Sequence, residues 1–239
     1  IADPLGKALG QVVVVENKAG GGGVVGANET AKSAPDGYSL GMATVSTTAA
    51  NPAINPKIPY NPLTDFTPII NIAATPNVIA VNPSFPAKDY KGFIQEVKTN
   101  PGKYSYSSSG TGGIGHLQTE LFKSLSGTFI THIPYRGAGP ALQDLVAGQV
   151  DMMFDTLAGA APFIKSGQLI AVAVASSKRS DAFPNVPTAQ ELGISNFVVS
   201  SWYAMWAIKG TPKEIVDKMS AEVQIALASP EIKERWAGM

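Results

Sequence analysis

The chain contains no cysteine. That removes a disulfide framework, thiolate metal sites and a cysteine nucleophile, and leaves the compartment open. It also lacks an excess of either charge: eighteen basic and eighteen acidic side chains cancel, and charged residues make up only 15%. With no basic stripe to track phosphates, nucleic acid is excluded as a partner. Long apolar runs are missing too. Stretches such as Ile170 to Ala175 are far too short to cross a bilayer, so a soluble chain is expected. Histidine is scarce, with only His116 and His132. There is no G-x-S-x-G elbow, H-E-x-x-H pair or G-x-x-x-x-G-K-[ST] loop, so metal and triad chemistry lack parts and no cofactor is expected.

What the chain does have is Val- and Ile-rich runs alternating with amphipathic windows, the pattern of α/β units whose parallel strands are buried on both faces. Strands are expected at 12–16, 39–44, 67–73, 78–81, 104–107, 130–134, 152–154, 169–175 and 197–207, and helices at 23–33, 89–100, 114–126, 139–147, 158–165 and 212–228. Thr211-Pro212-Lys213-Glu214 reads as a capping box at a helix start. The Pro-rich stretch 51–68 reads as a surface loop. At 239 residues two α/β lobes are preferred to one. The extended segments 77–83 and 197–209 are the candidate crossings, which puts 1–82 with 200–239 in lobe 1 and 83–199 in lobe 2. Ile1 to Leu9 reads as a helix already under way without its own N-cap, so a preceding segment is expected, and truncation at the other end is plausible as well.

Two glycine clusters stand between strand-like and helix-like runs: Gly20-Gly21-Gly22-Gly23 after Val12–Val15, and Gly110-Thr111-Gly112-Gly113-Ile114-Gly115 after Tyr104–Ser107. Helix N-termini carry unpartnered N–H groups and the positive end of the helix dipole, so such turns bind anions without Lys or Arg. Both clusters also fit the dinucleotide fingerprint G-x-G-x-x-G. Neither has the acidic residue about twenty positions later that would hold a ribose, so a nucleotide-dependent oxidoreductase is the alternative and not the first reading. Further candidates are Ser46 and Thr47 in the turn Thr44–Thr48, Ser109 beside the second cluster, and Asp155 with Thr156 at a strand end. Ser46 serves equally as a cap. Asp155 and Thr156 suit either a ligand's ammonium or hydroxyl group or the N-cap of the next helix. His116, in the first turn after the glycines, suits an anion contact or surface packing. Arg136 suits a carboxylate or an ordinary salt bridge, and His132 reads as structural.

Taken together, Val14-Val15-Glu16-Asn17, Ala34-Pro35-Asp36-Gly37-Tyr38, Pro59-Tyr60-Asn61-Pro62, Ser108-Ser109-Gly110-Thr111-Gly112, His132-Ile133-Pro134-Tyr135-Arg136-Gly137 and Gly148-Gln149-Val150-Asp151-Met152-Met153-Phe154-Asp155 resemble the substrate-binding proteins of tripartite tricarboxylate transporters, the Bug receptors. The resemblance runs nearly end to end. It implies a non-enzymatic periplasmic receptor with the two-lobed α/β, type II-like "Venus flytrap" fold and two crossing strands. Such a receptor acts as a monomer, captures a small organic carboxylate between its lobes and delivers it to membrane transporter subunits. The resemblance also implies that the carboxylate is held by backbone amides, hydroxyls and waters. On this chain it points to Ser46, Thr47, the cluster Ser109 to Gly113, Asp155 and Thr156 as cleft residues. The family normally has another strand and Gly-rich loop ahead of the helix starting at Ile1, so part of the pocket is expected to lie outside this sequence.

Overall fold

Backbone N–H and C=O groups must find partners when buried, so an apolar run becomes a strand only where a neighbour offers a ladder. The computed structural model of the chain describes residues 1–237, and within them this rule separates seven β-strands from one extended run that forms none. The structure divides into two compact units. One is built from Ile1–Ala74 and the stretch that begins at Trp202, the other from Thr75–Ser201. The first crossing therefore falls inside a single 16-residue strand, β2 (Phe66–Val81), and not after residue 82. The two shorter strands expected at 67–73 and 78–81 are one continuous element.

The second unit holds the end of β2 with β3 (Ser105–Ser108), β4 (Thr131–Pro134), β5 (Met152–Thr156) and β6 (Ile170–Val174), in the order β6-β2-β5-β3-β4. β3 runs parallel to β4 and β5, whereas β2 runs antiparallel to β5 and β6. The sheet is mixed where an all-parallel one was expected, because β2 enters from the other unit rather than through a helical crossover. Side chains alternate across it. Ile79, Val81, Tyr106, Met152 and Phe154 pack one face against Phe93 and Val97 of α4 (Tyr90–Thr99) and Phe122 of α5 (Ile114–Ser126). Val78, Ala80, Met153 and Val174 pack the other against Ala141 and Leu145 of α6 (Ala138–Val146) and Leu157 and Ala160 of α7 (Leu157–Lys165). Each such large side chain, fully buried, contributes about 1.5–3 kcal/mol. The two layers thus hold the strand ends rigidly.

In the first unit the order is β1 (Gly41–Thr44), β7 (Ser200–Ile208), β2. β1 is antiparallel to β7. Trp206 lies flat on Phe66 at 3.8 Å, beside Ala27 of α2 (Val24–Ala31). Met205, on the opposite face, joins Leu5 of α1 (Ala2–Leu9) and Met219 and Val223 of α8 (Lys213–Ala228). α9 (Pro230–Ala237) follows. Three expectations need correction here. Val12–Glu16 forms no strand, and with no ladder partner Val12 and Val14 stand 87% and 73% exposed. The capping box is not made, because the Thr211 hydroxyl donates back to the Ile208 carbonyl at 2.8 Å and α8 starts without a side-chain cap. The stretch after residue 45 begins as a helical turn, Ser46–Ala50, that runs on into the short α3 (Asn51–Ile54).

Candidate functional site

Because β3, β4 and β5 point the same way, their carboxyl ends lie along one edge of the second unit's sheet. Each hands over to a helix there: β3 to α5, β4 to α6 and β5 to α7. Three helix N-termini therefore gather where open α/β sheets receive ligands, each with first-turn N–H groups that have no intrahelical acceptor. The candidates Ser109, Gly110, Thr111, Gly112, Gly113, His116, Arg136, Asp155 and Thr156 all fall on these three turns.

The glycine turn is shaped by its backbone. Gly110 and Gly112 sit at φ 139° and 82°, where a β-carbon would be strained. Gly115 lets α5 rest directly on β5, since a β-carbon there would stand 2.8 Å from the Phe154 carbonyl oxygen. Most of the turn's own donors are used internally. The Gly110 N–H donates to Ser108 Oγ at 3.2 Å, that of Gly112 to His116 Nδ1 at 3.2 Å, and that of Gly113 to the Gly110 carbonyl at 3.2 Å. This corrects the picture of a fully open nest: Thr111, exposed and with no hydrogen bond to any described residue, is the part of the turn that faces outward. His116 closes the turn through Nδ1, leaving Nε2 as the ring's donor. The neighbouring turn is tied on through its Tyr135 and Gly137 N–H groups, which donate to the Ser108 and Ser109 carbonyls at 3.0 and 3.1 Å.

His132 does more than fill space. Its Nε2 shares a 2.6 Å hydrogen bond with Ser108 Oγ, and its ring is sandwiched between His116 at 4.2 Å and Tyr106 at 4.7 Å. Burial first, and then the proximity of a second imidazole, His116, press its pKa down to about 4, so the ring is neutral at physiological pH. Ser108 is wholly buried, which leaves the Ser108–His132 pair a brace for the glycine turn rather than a nucleophile with access to substrate.

The other two turns divide their roles. Arg136 is exposed and makes no ion pair among the described residues. Thr156 is the N-cap of α7, its hydroxyl accepting from the Gly159 N–H at 3.3 Å. Asp155 does not cap. One carboxylate oxygen accepts from the Thr156 N–H at 2.7 Å, and desolvation pushes the group up to about 6 despite that bond.

In the first unit the other two expected features come together. Gly20 to Gly23 all have positive φ, and a β-carbon on Gly23 would stand 2.8 Å from Thr47 Cγ2. Thr47 is buried and committed to its own turn: Oγ1 accepts from the Thr44 N–H at 3.0 Å, and its carbonyl accepts from the Tyr60 hydroxyl at 2.7 Å. Ser46 opens the same helical turn, its carbonyl accepting from Asn51 Nδ2 at 3.0 Å. Asn51 also donates to the Gly22 carbonyl at 3.1 Å and so clamps the glycine turn to the threonine turn.

Sequence reading missed that clamp, and it missed a buried amide relay in the second unit. Ser201 Oγ donates to Asn77 Oδ1 at 2.8 Å, and Asn77 Nδ2 donates to Gln118 Oε1 at 2.6 Å. Gln118 Nε2 is left buried without a partner among the described residues. Asn77 stands opposite Thr156 in the β2–β5 register, so the relay lies beside the candidate site. A polar residue inside an apolar strand run, as Asn77 is before Val78–Val81, was the available signal.

Comparison with known proteins shows which family the chain belongs to. The model of the family described as the tripartite tricarboxylate transporter family receptor matches residues 1–238. The chain belongs to this receptor family. Among solved structures, a periplasmic transporter superimposes with a TM-score of 0.97 at 49% identity, covering 99% of this chain and 79% of that one. MatC from Rhodopseudomonas palustris, solved with bound malate, gives 0.95 at 35% identity, with 99% and 81% covered. A second R. palustris protein, solved with adipate, gives 0.94 at 35% identity, with 99% and 80% covered. The α/β fold of this tripartite tricarboxylate transporter receptor is thus that of periplasmic solute-binding relatives, and membership of a receptor family favours solute binding over the dinucleotide reading.

Proposed function

We propose that the protein is a non-enzymatic periplasmic receptor that binds a small organic carboxylate and passes it, as a monomer, to the membrane subunits of a tripartite transporter. The observation that carries this reading is the gathering of three helix N-termini at the carboxyl ends of β3, β4 and β5, with Arg136, in no ion pair among the described residues, just before α6. Anions are favoured by such an array through oriented N–H dipoles, and hydrogen bonds to a charged acceptor are roughly twice as strong as neutral ones. Thr111 supplies an outward hydroxyl and amide, and Arg136 a guanidinium suited to bidentate contact. The ligands of the two R. palustris relatives are both dicarboxylates, one with a hydroxyl on its chain and one without.

Mass spectrometry of whatever co-purifies with the full-length protein, followed by a thermal-shift panel of carboxylates, tests the reading. A bound carboxylate that raises the melting temperature is expected, since a ligand selective for the native state stabilises it by mass action. A panel with no stabilising acid, or a co-purifying ligand without a carboxylate, overturns it. Thr111→Val removes one donor from an exposed position that braces nothing. Affinity for the carboxylate should fall about five- to tenfold, the loss of one modest hydrogen bond, with the melting temperature of the free protein unchanged. Unaltered affinity in calorimetric titration would remove Thr111 from the site.

A further inference from the structure

A carboxylate side chain is an anomaly in a site built for carboxylates. Asp155 is the last but one residue of β5, on the same face as Met153, the face covered by α6 and α7, so it stands on the side of the sheet where those two helices begin. It is only partly exposed and in no ion pair among the described residues. One of its oxygens takes the Thr156 N–H at 2.7 Å, and the other has no hydrogen bond to any described residue. Helix capping does not explain it, because Thr156 caps α7. Core packing does not explain it either, because an apolar residue would continue the run Met152–Phe154 without the cost of desolvating a charge. A second anion placed beside it meets repulsion unless it brings a donor of its own.

We infer that Asp155 selects, among small carboxylates, those that carry a hydroxyl or ammonium group on the carbon chain. The ligand's carboxylate is held by the helix N-termini and its donor by the open oxygen of Asp155, which gives the site polarity as well as charge. This selection rests on the carboxylate reading above. A site with a correctly placed acceptor discriminates strongly against the analogue that lacks the donor, since the buried acceptor is then left unpaired next to a like charge.

The test uses the full-length protein, stripped of co-purifying ligand by partial unfolding and refolding. It is titrated calorimetrically with matched acids in both enantiomers: succinate, malate and aspartate; glutarate, 2-hydroxyglutarate and glutamate; phenylacetate, mandelate and phenylglycine. Within the set that binds, a donor-bearing acid should bind at least about tenfold more tightly than its donor-free partner, and Asp155→Asn should shrink that ratio to within about threefold. A donor-free acid that binds as tightly as both partners overturns the selection and leaves the receptor reading standing. So does a ratio unmoved by Asp155→Asn. Failure of all nine acids overturns the carboxylate reading itself. The wild-type ratios decide the matter even if the variant does not fold.

Discussion

Two side chains at the candidate site carry pKa values moved in opposite senses for an acid and a base, and both shifts are costs of burial. Asp155 is pushed from its usual 3.8 up to about 6, first by desolvation and against the Thr156 N–H. The folded chain therefore holds a proton that the unfolded chain has released between these values. Stability falls as pH rises through that window, and the penalty is complete above pH 6, at most on the order of 3 kcal/mol. His132 is pressed from 6.5 down to about 4, first by desolvation and then by His116. Here the unfolded chain holds the extra proton, so stability is full above 6.5 and is lost as pH falls towards 4, by a similar order. Asp155→Asn should raise the melting temperature at about pH 7.5 and give no gain at about pH 3.5. His132→Gln should flatten the decline between 6.5 and 4 even though it forfeits ring stacking. Melting curves across pH for both variants check these signs. A destabilised Asp155→Asn at neutral pH would mean that the carboxylate supports the fold despite the cost of its burial.

At the scale of elements, the contact of α5 with β5 fixes where the glycine turn points. Gly115→Ala puts a β-carbon 2.8 Å from the Phe154 carbonyl oxygen, and neither backbone can yield without moving an element. A loss of about 1–3 kcal/mol is expected, together with weaker ligand binding. Gly139→Ala in α6 meets no atom within 4 Å and no positive φ, so it should stabilise by about 0.4–1 kcal/mol. Denaturant midpoints of the pair separate close packing from generic helix propensity. These elements were legible in the sequence because strand, glycine turn and amphipathic helix follow one another locally; α5 was placed at 114–126, its observed bounds. What was not legible depends on distant partners. Val12–Glu16 has strand composition and no ladder. β2 turns one way or the other only through its pairing with β5 and β6. The site divided in the same way. The turns bearing Thr111, Arg136 and Asp155 could be found from spacing, whereas the consumption of the Gly110 amide could not, because it goes to Ser108, which is held by His132, 24 residues away; the acceptor of the Gly112 amide, His116, is stacked on that same distant ring.

At the scale of the whole molecule, the connectivity of the two units makes their stabilities unequal partners. The second unit is one uninterrupted stretch, Thr75–Ser201, whereas the first is assembled from residues before and after it. If the second unit unfolds, the two parts of the first are joined only by a flexible loop of more than a hundred residues. Closing such a loop costs about 4 kcal/mol in chain entropy, a large share of the stability of a small domain. The first unit should therefore never outlast the second, while the second, with its cores on both sheet faces, pays no such cost when the first opens. The chain offers a direct readout, because its three tryptophans, Trp202, Trp206 and Trp236, all belong to the stretch after Ser201. In a urea titration, tryptophan fluorescence should change with or before the far-ultraviolet circular dichroism, which weighs helices of both units. A fluorescence transition that lags behind the dichroism would show the first unit surviving alone, and would refute the dependence.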